Sequence, residues 1–381
     1  MNGLCYLDNS ATTRPFDEVR AAMAQAMDED YFNPSAAYPQ AAAVRARVEA
    51  ARAAVTGALA GGRVVFTSGG TEGDHLALAG ALSGRRRGVV TTAAEHPAVL
   101  RTAEALGEAG ASVTVLPVDD TGAVRPDALA DALSPDTAVV SLMHVNNETG
   151  AVHDLPALAA LIHAHAPEAL FHVDGVQAFL RLPAEPARWG VDLYTVSAHK
   201  IHGPKGVGAL WVGGRARLQT QLPGGGQEEG LRSGTENVPG IVGFGRAVEV
   251  YSQDLLGKRD RLMALKLALW AGLSTLDGVR VNGPAPAQGA PHILNVSFDG
   301  VRGAVLLRSL AEQGVLVGTG SACGTHKNAV SPVLTAMGLP KARAEGAIRF
   351  SLSIQNTEED VARACEVVRE QVTRLRRFQR R

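Results

Sequence analysis

The sequence predicts an α/β protein: a large domain with a mostly parallel seven-stranded sheet, joined to a smaller α+β domain. Three observations predict it. Seven short apolar runs, rich in β-branched residues and continuous rather than alternating, lie between residues 63 and 212, which is how strands buried on both faces read. Helix-like segments recur between these runs, as in βαβ units. Near residue 254 the pattern gives way to one long amphipathic segment followed by short strands. The large domain is placed at residues 16–253, and the small one at 1–15 with 254–381.

The elements follow in order. The strand runs are "RVVFTSGG", "GVVTTA", "SVTVLPV", "AVVSLMHV", "ALFHVDG", "DLYTVSAHK" and "GVGALWV", several of them ending in Gly, Ser, Thr or Asp. Beyond them come a helix in "DLLGKRDRLMALKLALWAGLSTL", strands in "VRVNG" and "ILNVSFD", a helix over about 303–313, a strand in "GVLVG" and a glycine-rich loop. A strand in "AIRFSLS" precedes a last helix capped at Asn356 or Thr357, with Glu358 and Glu359 at its positive end. A cleft between two domains is the usual place for a cofactor.

Composition narrows the chemistry. The chain has 381 residues, 46% of them hydrophobic, and a net charge of −1, which fits a globular protein with no global attraction to nucleic acid or membrane. No signal peptide or membrane span is expected. Three cysteines, Cys5, Cys323 and Cys365, do not make a disulfide framework, so a reducing cytoplasmic setting is expected.

Polar residues gather at the ends of the strand runs, where open α/β sheets bind ligands. After "VVFTS" comes "GGTEGDHLALAG", glycines and a threonine leading into a helix. That turn suits a phosphate, or is simply a tight turn capped by Thr71. It lacks the GxxxxGK[ST] pattern of nucleotide triphosphatases. Asp174 ends the run "FHVD", and Gln177 follows it. Lys200 closes "LYTVSAHK", between His199 and His202. A strand-end lysine is ordinarily solvated, but desolvation or nearby cations turn one into a nucleophile for aldehydes. A phosphate turn, a strand-end Asp and a strand-end Lys in that order suggest pyridoxal 5'-phosphate, which offers a phosphate, a pyridinium nitrogen and an aldehyde. No cluster has metal-ligand spacing.

Seven stretches, "TSGGTEGDHLAL", "AEHPAVL", "MHVNNETG", "FHVDGVQ", "SAHKIHGPKGVGAL", "GGGQEEGLRSGTENV" and "GTGSACGTHKNAVSPVL", occur in one order. In that order they resemble the cysteine desulfurases, the NifS/IscS-like group of the class V aminotransferases. The resemblance runs from "YLDNSATT" to "IRFSLS" and implies the fold type I of PLP-dependent transferases. It implies that Lys200 carries the cofactor and moves protons, that Asp174 pairs with the ring nitrogen, and that Gln177 and Asn147 bond the phenolic oxygen. His96 would stack on the ring and serve as acid or base. Gly70, Thr71, Ser197 and His199 would hold the phosphate, joined by Thr235 from the partner of a homodimer. Arg349 would grip the substrate carboxylate as a two-pronged fork, with Asn33 nearby. Taken singly, each has a plainer reading: His96 ends a turn before Pro97, Asn147 lies in a loop, and a strand arginine is commonly an ion-pair partner.

Cys323 lies in the polar stretch "VGTGSACGTHKNAVSP", unlike a buried cysteine. The resemblance makes it the nucleophile that takes sulfur from L-cysteine, leaving L-alanine and a persulfide for an Fe–S scaffold or a tRNA thiolation enzyme. A selenocysteine lyase or another class V aminotransferase is the alternative, and a catalytically idle partner in a sulfur-assembly complex is the rival of another kind. Cys5 and Cys365 read as structural. The chain departs from the pattern at Gly73 and His75, where Ser and Asn are expected, in "CGTHKN" after the cysteine, and in lacking an arginine near Gln355. The basic tail "RLRRFQRR" and Arg85–Arg87 read as solvated faces, with no direct contact to nucleic acid.

Overall fold

The structure is a computed structural model that describes residues 4–320 and 330–379. A two-residue strand β1 (Cys5–Tyr6) leads to helices α1 (Asp17–Glu29) and α2 (Pro39–Ala58). Strands and helices then alternate: β2 (Arg63–Thr67), α3 (Gly70–Ala81), β3 (Gly88–Thr92), α4 (Pro97–Glu108), β4 (Ser112–Leu116), α5 (Pro126–Ala132), β5 (Thr137–Met143), α6 (Leu155–His165) and β6 (Leu170–Asp174). Next come β7 (Leu193–Ser197), β8 (Gly208–Val212), α7 (Val238–Ser252) and α8 (Leu255–Leu273). The remainder is β9 (Val279–Val281), β10 (Ile293–Phe298), α9 (Gly303–Glu312), β11 (Val315–Leu316), α10 (Pro332–Ala336), α11 (Lys341–Glu345), β12 (Ala347–Ser351) and α12 (Glu358–Gln379).

All seven apolar runs are strands of one sheet, in the order β2-β8-β7-β6-β5-β3-β4. Six point the same way, while β8 is antiparallel to both of its neighbours, β2 and β7. Six of the strands are buried on both faces, whereas the edge strand β4 is mostly exposed, and alternate residues of one buried strand enter different cores. Val64 and Phe66 join the core under α1, α2, α6 and α7, whereas Val65 joins the one under α3 and α4. This is why the runs are continuously apolar: both positions of the two-residue period are covered.

A third core gathers Leu262, Leu265 and Leu269 of α8, Leu294 and Val296 of β10, Ile348 and Phe350 of β12, and Val361, Val368 and Val372 of α12. Cys5 and Leu7 belong to it, because β1 pairs with β11 and Asp8 bridges to Ser351. Strand β10 lies between β9 and β12, antiparallel to each. The last helix is capped by Thr357: its hydroxyl accepts from Asp360 N (3.2 Å), and Asp360 Oδ2 accepts from Thr357 N (3.1 Å). That reciprocal pair resolves the choice between Asn356 and Thr357. The five-residue helices α10 and α11 carry too little periodicity to be read from sequence. Among the described residues no helix is long and apolar enough to cross a membrane.

Gly208 sets how closely β8 approaches the start of α3. A Cβ there would lie 2.7 Å from the Val196 carbonyl oxygen and 2.8 Å from Gly69 backbone atoms. Backbone on both sides cannot yield as a flexible side chain would. Gly208→Ala is expected to lower stability by about 1–3 kcal/mol, seen as a lower urea midpoint with an unchanged denaturant slope.

Candidate active site

The six co-directional strands end along one edge of the sheet, and the residues singled out from sequence stand there. Gly70 and Thr71 follow β2, His96 follows β3, and Asn147 follows β5. Asp174 ends β6, and Ser197 to Lys200 end β7. Arg349 reaches the same edge from β12.

Helix α3 starts at Gly70 with Gly69 as N-cap and no side-chain capping bond, and Thr71 is exposed in its first turn. Thr71 therefore does not cap the turn. A Cβ on Gly70 would sit 2.9 Å from Val176 and 3.9 Å from the Ser197 side chain. The Ser197 hydroxyl beside it is buried and has no hydrogen-bond partner among the described residues. Free backbone N–H groups at a helix start and an unsatisfied buried hydroxyl suit an anion.

Lys200 Nζ donates to the Ser10 carbonyl at 2.6 Å and the Ala11 carbonyl at 2.8 Å. Asp174 Oδ1 accepts from Val176 N at 2.9 Å. Burial pushes the Asp174 carboxyl above its ordinary range, opposed by His96, the Val176 N–H and Lys200. His96 is the N-cap of α4, its Nδ1 accepting from Ala98 N at 3.1 Å. Burial holds it below the ordinary imidazole value, with Asp174 raising it and Lys200 lowering it. Lys200, Asp174 and His96 thus form one electrostatic group, although they come from three separate strand ends.

Arg349 is buried, donating from Nη2 to Asp8 Oδ1 at 2.6 Å and from Nη1 to the Asn147 carbonyl at 3.0 Å, with Nε unpartnered among the described residues. Gln177 is buried and donates from Nε2 to the Ser10 carbonyl at 3.0 Å. Asn33 is exposed in the loop before α2, where its Oδ1 accepts from Ser35 N; its side chain makes no hydrogen bond to Arg349. Thr235 is exposed on the stretch before α7. Cys323 lies outside the described residues. Cys5 and Cys365 are buried thiols, and burial pushes Cys5 up to about 12 and raises Cys365 as well, so neither is a ready nucleophile.

The histidines flanking Lys200 do not supply positive charge. Burial drives His199 down to about 3 and His202 to about 4, so both are neutral at physiological pH. His199 Nδ1 faces the Thr12 hydroxyl at 3.2 Å, and His202 Nδ1 faces the Arg14 carbonyl at 2.7 Å. The fixed cation beneath them is Arg181, which sequence reading missed because "AFLRLP" carries no motif.

A polar layer behind Asp174 was also missed. His172 bonds the Ser141 hydroxyl at 2.8 Å and the Thr195 hydroxyl at 2.9 Å. Asp74 lies 3.6 Å from His172, with Oδ1 unpartnered, and burial raises its carboxyl well above the ordinary range. Glu95 accepts from Thr92 and Met143 N, and burial pushes it up to about 8. Burial drives His172 down to about 3, so it meets Asp74 as a neutral imidazole rather than as an ion pair. A signal existed: Asp74 shares the apolar stripe of α3 with Ala77 and Leu78, and every residue of "FHVD" is buried.

With this geometry in view, comparison with known proteins gives the family. The chain belongs to the aminotransferase class-V family, which it matches over residues 5–364. It is similar to the cysteine desulfurase IscS of Methanosarcina thermophila, 39% identical over 98% of this chain and 93% of that one. It is likewise similar to a cysteine desulfurase of Cereibacter sphaeroides, 42% identical over 97% of this chain and 96% of that one. Among solved structures, a NifS-like protein superposes with a TM-score of 0.91 at 36% identity, covering 97% of this chain and 99% of that chain. A structure described as SspA in complex with cysteine gives a TM-score of 0.80 at 30% identity, covering 92% and 99%. The fold is fold type I, and the family's cofactor is pyridoxal 5'-phosphate.

The residues present fit that cofactor. The unsatisfied Ser197 hydroxyl beside the start of α3 suits a phosphate, and the buried Asp174 carboxylate suits a ring N–H. The Lys200 amine stands between these elements and the carbonyls of the N-terminal segment. Once bound, the cofactor supplies an aldehyde for amines and a ring that stores electrons.

The neutral His172 makes stability depend on pH. Its folded value lies below the unfolded one, so its contribution is present above about 6.5 and is lost as pH falls toward about 3. His172→Gln is expected to lower stability at pH 7, because Ser141 and Thr195 lose their partner. It should also flatten the acid-side slope by up to about 1.4 kcal/mol per pH unit, measured by urea unfolding at several pH values between 5 and 7.

Proposed function

We propose that this protein is a PLP-dependent cysteine desulfurase, taking sulfur from L-cysteine and leaving L-alanine and a persulfide on Cys323. The observation that carries the reading is the electrostatic group of Lys200, Asp174 and His96 at one sheet edge, faced by the buried guanidinium of Arg349. An amine, a carboxylate, a proton carrier and a carboxylate-binding fork are what an amino acid joined to pyridoxal phosphate requires. The relatives named cysteine desulfurase, and the neighbour described in complex with cysteine, support cysteine as the amino acid.

Lys200 holds the cofactor and moves protons at the substrate carbon. Asp174 keeps the ring nitrogen protonated, His96 lies against the ring, and Gln177 and Asn147 meet its phenolic oxygen. Gly70, Thr71, Ser197 and His199 hold the phosphate, and Arg349, with Asn33, the substrate carboxylate. The Cys323 thiolate bonds to the substrate sulfur as the substrate's carbon–sulfur bond breaks. The carbon keeps the electron pair and takes up a proton, giving alanine. The chain acts as a cytoplasmic homodimer in which Thr235 serves the partner's site, and it passes sulfur to an Fe–S scaffold or a tRNA thiolation enzyme. Its cofactor-binding domain is residues 16–253, and its small domain is 1–15 with 254–381. Support for this division comes from Cys5 and Leu7 packing in one core with α8, β10, β12 and α12.

Borohydride is expected to fix PLP to the peptide containing Lys200, and Lys200→Ala to abolish that labelling; labelling at Lys205 would overturn the assignment. Cys323→Ala should still bind PLP and change its spectrum on adding cysteine, yet form no persulfide and release little alanine. Cys5→Ala and Cys365→Ala should keep turnover. Desulfuration by Cys323→Ala at the parent rate would sink the reading.

The shared site has its own check. Mixing Lys200→Ala with Thr235→Ala subunits should restore part of the activity that each lacks alone, because some mixed dimers contain one site with both residues intact. Full activity from a monomer at low concentration would exclude the shared arrangement.

A further inference from the structure

Arg181 is a buried arginine without a carboxylate partner among the described residues. A guanidinium in that setting needs a reason, since burying an unpaired charge is expensive. Its Nη2 donates to the Lys200 carbonyl. Its Nη1 donates to Gln177 Oε1 at 3.3 Å and reaches the Gln177 carbonyl at 3.5 Å. Tyr251 of α7 favours its charged form against the burial that lowers it. One side chain therefore touches two residues of the candidate site that are 23 positions apart in the chain.

The contacts with Gln177 settle the direction of that amide. Arginine only donates, so the edge of the amide facing Arg181 is the oxygen. The Ser10 carbonyl only accepts, so the edge facing Ser10 is the NH2 group. His292, fully buried, adds a second contact to the same oxygen at 3.4 Å through Nε2. Burial, then Arg181, Lys266 and Arg349, keep this imidazole neutral. The amide satisfies all these neighbours in one orientation only. Its NH2 group and the Lys200 amine then converge on one atom, the Ser10 carbonyl oxygen, at 3.0 and 2.6 Å.

We propose that Arg181 is a positioning residue that locks the Gln177 amide with its N–H edge toward the Lys200 amine. The inference rests on the cofactor reading above. In pyridoxal phosphate the phenolic oxygen is ortho to the aldehyde carbon, so it neighbours whichever amine holds that carbon. With the amide locked, that oxygen meets a donor, which favours its anionic form. With the amide free to turn, it would meet a carbonyl half of the time.

The test uses PLP-loaded protein and reads the pH midpoint of its visible absorbance. Arg181→Lys and Gln177→Leu should each raise the midpoint by roughly one unit. The double variant should match Gln177→Leu, because Arg181 acts through the amide; additive shifts, or none in Arg181→Lys, would overturn the proposal. If Arg181→Lys does not fold, thermal melting of Gln177→Glu against Gln177→Leu decides. Gln177→Glu gives Arg181 a carboxylate and should melt at or above Gln177→Leu; melting well below it means that Arg181 does not govern that edge. Parent protein without cofactor absorbance defeats the cofactor reading instead, and the melting comparison still judges Arg181.

Discussion

Residues Asp8 to Thr13 run between the two packing units and hold the site from both sides. Asp8 bonds Arg349, which comes from β12. Asn9 Nδ2 donates to the Ser351 carbonyl at 2.9 Å. The Ser10 carbonyl receives Lys200 and Gln177. Thr12 faces His199, while Thr13 N donates to the His199 carbonyl and its hydroxyl accepts from His202 N at 2.7 Å. These six residues, which turn between Asp8 and Ala11, are therefore bonded to the segments that follow β6 and β7 and to β12 alike. They add to the bond from Arg349 to the Asn147 carbonyl in tying β12 to the strand ends of the large sheet.

Electrostatics in the site follows from burial more than from pairing. Four histidines, His144, His172, His199 and His202, are held neutral by desolvation. The carboxyls of Asp74 and Glu95 are raised by the same cause. Groups shifted toward their neutral forms serve as hydrogen-bonding scaffold, while His96 and Lys200 oppose the upward shift that burial imposes on Asp174. Arg181 stands apart as a buried cation stabilised by carbonyl and amide oxygens rather than by a carboxylate. That arrangement gives direction to neighbouring dipoles without cancelling its own charge.

The sheet and most of its helices were legible because they depend on local pattern. "RVVFT" and "LYTVS" carry apolar residues at successive rather than alternate positions since helices cover both faces of the sheet. The proline-led starts of α4, α6 and α7 mark helix entry in the same direct way. Lys200 and Asp174 were legible as strand-end residues in order after a phosphate turn, and His96 through the family resemblance. What local pattern could not show was the reversed direction of β8, since a strand reads the same both ways.

The sequence by itself determined the fold class, the seven strands, the cofactor chemistry and the chain's place in its family. Each of these is written in residue type, period and order. Only the tertiary structure decided that His199 and His202 are neutral, that Arg181 is the cation beneath Lys200, and that Asp8 holds Arg349. Burial and contact between residues up to 341 positions apart are set by how distant segments pack, and no local stretch of sequence records that.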